Sequence, residues 1–137
     1  MFVLDCSVTM AWAFHDESTP TALAVVDRAA EELVAVPGIW PLEVCNALLV
    51  ALRRGRFSDE DVPGFLGLVT ALSPVVDEQA QGHVFDKVLP LARQYGLSSY
   101  DAAYLELALR KKAPLATLDA GLAGAARAAG VEVLGGA

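Results

Sequence analysis

Short apolar runs alternate with stretches of helical spacing along the whole chain, and this alternation constrains the fold more than any other feature. Phe2-Val3-Leu4 ends at Asp5 and reads as a buried strand. Ser7 is placed to cap a short helix through Ala11 to Phe14. Thr19-Pro20 opens a second helix, with Leu23, Val26, Ala30 and Leu33 as its apolar face. Leu33 to Val36 is the next strand, ended by Pro37-Gly38. Pro41 starts a third helix running to about Arg54, with Gly55 as its stop. From Val44 to Leu52 that helix is apolar nearly all round, so it is either deeply buried or meets another copy of the chain.

The second half continues the pattern. Ser58-Asp59-Glu60-Asp61 is an acidic helix start, and Pro74-Val75-Val76 is a strand. A long helix is expected over about Gln79 to Tyr95, with Pro90 as a break or kink and Gly96 as the C-cap. Ser98 caps a helix from Ser99 to Lys112, whose basic end suits its dipole. Leu115 to Leu118 is a strand ending at Asp119, Gly121 to Ala129 a helix, and Val131 to Leu134 the last strand. No hairpin signal, repeat or linker interrupts the order. The expected fold is α/β, with a mostly parallel central sheet between two layers of helices.

A chain of 137 residues, 55% of them hydrophobic, fits one domain over 1–137 and carries enough apolar surface to fold. The longest charge-free run, Val62 to Val76, is broken by two prolines and two glycines, so no membrane span is expected. Met1 to Phe14 lacks a basic start and carries Asp5, which suits mature structure better than a signal peptide. Two cysteines, Cys6 and Cys45, are too few for a disulfide framework; they read as buried small hydrophobes in a reducing cytoplasm. The net charge of −7 argues against a general phosphate-gripping nucleic-acid binder. It leaves open a site where metal ions supply the positive charge.

Acids stand where such a sheet forms its sites, at the carboxyl ends of strands. Asp5 ends the first strand and Asp119 follows the fourth, while Glu43 and Asp101 lie in first turns of helices. Right-handed crossovers would bring these ends to one edge. Four clustered carboxylates resist joint ionisation, and a hard divalent cation relieves that cost. An all-oxygen set without a His or Cys cluster suits Mg²⁺ or Mn²⁺ over Zn²⁺; His15 and His83 have no zinc spacing. Such a centre suits phosphoryl chemistry. Individually, Asp101 reads first as a capping acid and Glu43 equally as a helix-start acid; Asp5 and Asp119, closing apolar strands, need partners, although Asp119 also suits a cap. Ser7 and Thr117 are candidate supports, with an N-cap and a plain strand residue as their ordinary roles. Asn46, one turn past Glu43, either orients it or satisfies backbone as a buried amide. Tyr104, Trp12 and Trp40 read as core. The basic groups Arg53, Arg54 and Arg56 and Arg110 to Lys112 read as solvated helix ends ahead of RNA contacts.

Four segments, in order, resemble the PIN-domain ribonucleases, and most closely their VapC-type toxins. They are Phe2-Val3-Leu4-Asp5-Cys6-Ser7-Val8 with Ala11-Trp12; Trp40-Pro41-Leu42-Glu43-Val44-Cys45-Asn46-Ala47-Leu48; Leu97-Ser98-Ser99-Tyr100-Asp101-Ala102-Ala103-Tyr104-Leu105; and Leu115-Ala116-Thr117-Leu118-Asp119. The resemblance covers nearly the whole chain. It implies a three-layer PIN-like fold, with Asp5, Glu43, Asp101 and Asp119 holding Mg²⁺ or Mn²⁺ and Ser7, Asn46 and Thr117 in support. It implies an endoribonuclease that uses metal-activated water, a cognate antitoxin partner and a homodimer. The acidic charge fits recognition of folded RNA shape over grip on any strand. The family often carries a further acid after the last aspartate; Ala120-Gly121-Leu122 offers none, which bears on a second metal position.

Other α/β enzymes fit less well. A dehalogenase-like phosphatase needs an acid where Ser7 stands, and a receiver domain needs early adjacent acids and a late Lys, whereas Asp16 and Glu17 are far from the first strand. Dinucleotide binding lacks its glycine fingerprint. The alternative from a different class is a non-catalytic PIN-fold module that only binds a partner.

Overall fold

A computed structural model describes residues 1–14, 19–78 and 82–135. Five strands are present among the described residues: β1 (Phe2–Leu4), β2 (Val34–Pro37), β3 (Val75–Asp77), β4 (Leu115–Ala116) and β5 (Val133–Leu134). They form one parallel sheet in the order β3-β2-β1-β4-β5. Seven α-helices among the described residues flank it: α1 (Cys6–Ala11), α2 (Pro20–Ala29), α3 (Trp40–Arg53), α4 (Val62–Ala71), α5 (Leu89–Tyr95), α6 (Ser99–Lys111) and α7 (Ala120–Ala128). The result is a three-layer α/β/α architecture.

The central strand is short and wholly apolar because both its faces are covered: Phe2, Val3 and Leu4 are fully buried. Each such side chain contributes about 1.5–3 kcal/mol. Tyr104, Leu105 and Leu107 of α6 are equally buried, and α6 packs against β1 and β2. The chain builds outward from β1 in one direction through β2 and β3, then returns to add β4 and β5 on the other side. The direction of winding therefore reverses between β1 and β4, where such sheets open a crevice beyond their carboxyl ends.

Several local expectations change. The buried face of α2 is Ala22, Val25 and Ala29, one residue earlier than expected; Leu23, Ala30 and Leu33 are exposed. The helix ends at Ala29, so Leu33 stands outside both α2 and β2. Asp5 holds the N-cap position of the first helix without a side-chain capping bond, and Ser7 lies inside the helix with its hydroxyl donating to the Asp5 carboxyl. The start of the expected long helix at Gln79, like His15, Asp16 and Glu17, lies outside the described residues. Its later part divides into a π-helical turn, Val84–Val88, and α5 with Pro90 in its first turn. The wider turn absorbs a proline that cannot donate an amide to the ladder.

The exposed edge strand β3 is tied to α6 by ions. Arg110 donates to both oxygens of Glu106 at 2.8 and 3.1 Å, and to both oxygens of Asp77 at 3.1 and 2.5 Å. Glu106 and Asp77 keep only 5% and 8% of their side-chain exposure, so Arg110 is a structural cation and not a solvated helix end.

Candidate active site

The crevice is built around Asp5. The pairing Leu4↔Ala116 sets Thr117 beside Asp5, and the Asp5 amide donates to the Ala116 carbonyl at 3.0 Å. Thr117, fully buried, donates its hydroxyl to Asp5 Oδ2 at 2.7 Å. Ser7, one position into α1, donates to the same oxygen at 2.6 Å. Ser7 Oγ accepts the Leu118 amide at 2.9 Å, and Thr117 Oγ1 accepts the Asp119 amide at 3.1 Å. The loop after β4 is thereby locked to the corner after β1. Asp119 then caps α7, its Oδ1 accepting the Leu122 amide at 2.9 Å while the residue stays exposed.

Two helices bring the other acids. Glu43 lies in the first turn of α3, half-buried, and its Oε1 accepts the Tyr104 hydroxyl at 2.7 Å. Asp101 lies in the first turn of α6, where the Ser98 hydroxyl accepts its amide at 3.1 Å. Capping thus uses the Asp101 backbone, and its carboxylate lies in the field of the other acids.

Their electrostatics show the proximity. Burial raises Asp5 above the usual carboxylate range, opposed by the donors Ser7, Thr117 and the Cys6 amide, with the Asp119 charge adding to the rise. Burial also raises Glu43, against the Tyr104 bond, and the Asp5 and Asp101 charges add to it. Burial and then the Asp5 and Asp119 charges push Asp101 up to about 6. The four carboxyls therefore share one field, at a cost that a cation would remove.

The donor chemistry fits a hard divalent ion. All the donors are oxygens, and Glu43 and Asp119 each commit one carboxylate oxygen to a described hydrogen bond. Among the described residues, no three His, Cys, Asp or Glu side chains lie together as a ready-made metal cluster.

Asp5, Glu43, Asp101, Asp119, Ser7 and Thr117 thus converge. Asn46 is exposed on α3, so it is not the buried amide expected. Cys45 is exposed too, against expectation, because it lies on the outer side of α3. Cys6 is half-buried, its thiol pushed up to about 12 by burial and the Glu43 and Asp5 charges, so it is an inert thiol. Tyr104, expected from sequence to be core, is also the partner of Glu43. Its helical spacing from Asp101 was the available signal, but only packing shows that its hydroxyl reaches across to α3.

No described helix is long and apolar enough to cross a membrane. The chain is 28% identical over 121 residues to Ribonuclease VapC3 of Pyrobaculum aerophilum, an alignment covering 88% of this chain and 91% of that one. Its fold is similar to the crystal structure of PAE2754 from the same organism, with a TM-score of 0.68 and 23% identity over 96% of this chain and 82% of the other. FitAcB from Neisseria gonorrhoeae aligns with a TM-score of 0.49 and 20% identity, over 97% and 96% of the two chains. The PIN domain family model matches residues 2–128, and the chain belongs to that family.

Proposed function

We propose that this chain is a VapC-type endoribonuclease, the toxin of a toxin–antitoxin pair, hydrolysing RNA phosphodiester bonds with Mg²⁺ or Mn²⁺. The observation that carries the reading is the convergence of Asp5, Glu43, Asp101 and Asp119 from four separate segments onto one crevice, each within the field of others. The similarity to a chain named Ribonuclease VapC3 supports the substrate class.

In this reading the four acids hold the ion, and Ser7 and Thr117 support them. When bound, the ion supplies Lewis-acid activation of water and charge neutralisation at the phosphoryl group. Ser7 and Thr117 fix Asp5 Oδ2 from two sides, so one carboxylate orientation is set before any ligand arrives. Tyr104 does the same for Glu43. Glu43 and Asp101 also stand in the first turns of α3 and α6, where the positive end of the helix dipole lowers the cost of gathering negative charge.

Two surfaces suit the partners. A groove lined by Trp12, Phe57, Arg56 and Asp61, with the Arg56 guanidinium 4.1 Å over the Phe14 ring, offers the antitoxin both aromatic and charged contacts. Leu42 on α3 and Tyr100 on α6, both exposed and lining one shallow cleft, suit a homodimer contact. The whole chain acts as one domain, in the cytoplasm.

Purified protein freed of any partner is incubated with total RNA in Mg²⁺ or Mn²⁺, with EDTA and Asp101→Asn controls. Discrete fragments that vanish in both controls are expected, and their sequenced ends identify the RNA. Intact RNA across transfer, ribosomal and messenger pools would replace the nuclease with a partner-binding module.

A further inference from the structure

The Asp5 and Glu43 carboxylates come from different elements, so something must set the distance between them. Trp40 opens α3 one turn before Glu43 and is 4% exposed. Its indole N–H donates to Thr9 Oγ1 at 3.2 Å. Thr9, fully buried on α1, donates that hydroxyl to the backbone carbonyl of Asp5 at 3.3 Å. A threonine in a helix often bonds its own chain four residues back, and that contact alone would mean little. Here the same oxygen also receives a donor from another helix, closing a path from the α3 start to the Asp5 backbone.

We propose that Thr9 and Trp40 are positioning residues, a buried two-bond strut that sets the spacing of Asp5 and Glu43 and so the affinity of the centre for a divalent cation. Neither side chain touches the ion; they act through the backbone of one ligand and the helix start of the other. The inference rests on the metal-centre reading of the four acids. Partners that orient metal ligands typically change affinity by about 10–100-fold when lost. Thr9→Val keeps the volume and removes the hydroxyl, Thr9→Ser keeps the hydroxyl, and Trp40→Phe removes the N–H from the other end.

The readout is Mn²⁺ binding by electron paramagnetic resonance of the free ion, with a thermal melt of each variant. Thr9→Val is expected to bind about ten-fold more weakly, with Thr9→Ser close to the parent. Trp40→Phe is expected to weaken binding in the same direction, and it carries the test if Thr9→Val does not fold. Parent-like Mn²⁺ affinity in folded Thr9→Val or Trp40→Phe, even with a lower melting temperature, overturns the strut and leaves the metal centre standing. A parent protein that takes up no Mn²⁺ overturns both.

Discussion

Replacing Asp101 by Asn should make the metal-free protein more stable. The Asp101 carboxyl is lifted from its ordinary 3.8 to about 6, first by burial and then by the Asp5 and Asp119 charges. A shift of that size corresponds to about 3 kcal/mol at most. Asp101 keeps some contact with solvent, which screens the repulsion and brings the net gain to roughly 1 kcal/mol. For 137 residues this is a rise in Tm of about 3 °C. The sign comes from proton uptake. An acid whose folded pKa is raised binds more protons in the folded state between about 4 and about 6, so its cost grows as pH rises through that window and is complete above it. The gain of Asp101→Asn should therefore be full at pH 7.5 in EDTA and absent near pH 4, where the parent carboxyl is protonated. Saturating Mn²⁺ should invert the order, because the parent gains binding energy that the variant loses. The assay is a calorimetric melt at both pH values with EDTA or Mn²⁺. A variant no more stable than the parent at pH 7.5 in EDTA, or a gain that persists at pH 4, would refute the account of clustered charge.

Tyr104→Phe removes the hydroxyl that holds Glu43 and leaves the ring; Mn²⁺ affinity should fall roughly ten-fold while stability drops by about 1 kcal/mol, and unchanged affinity in a titration would remove Tyr104 from the centre. Arg110→Ala leaves Glu106 and Asp77 buried without their cation and should cost about 2–3 kcal/mol in urea unfolding at pH 7.5; an unchanged midpoint would show that β3 does not depend on that bridge. Iodoacetamide at pH 8 should modify exposed Cys45 and spare Cys6 until the chain unfolds, as read by mass spectrometry of peptides; equal rates would contradict the burial of Cys6.

The parallel α/β order was legible from residues alone, because a strand covered on both faces must be apolar throughout and helices must show helical spacing. Phe2-Val3-Leu4 and Leu115-Ala116 stand out for that reason. Asp5 was legible as a candidate because charge at the end of a buried strand demands a partner, which Ser7 and Thr117 supply. Finer features were not. The α2 face moved by one residue because Leu23 and Val26 offer as good an apolar stripe as Ala22 and Val25, and only contact with the sheet chooses between them. The exposure of Asn46 and Cys45 depends on which side of α3 meets α1, which an almost uniformly apolar helix does not encode.

The sequence by itself determined the element order and the fold class and singled out four acids as candidates, since each depends on local pattern. Only the tertiary structure decided which groups restrain those acids. Thr117 reaches Asp5, Tyr104 reaches Glu43 and Arg110 reaches Asp77 across separations of 112, 61 and 33 residues. Such bonds depend on strand order and helix rotation, which local periodicity does not specify. Whether a hydroxyl or guanidinium serves the core, the solvent or the site is therefore settled when the sheet and helices pack together.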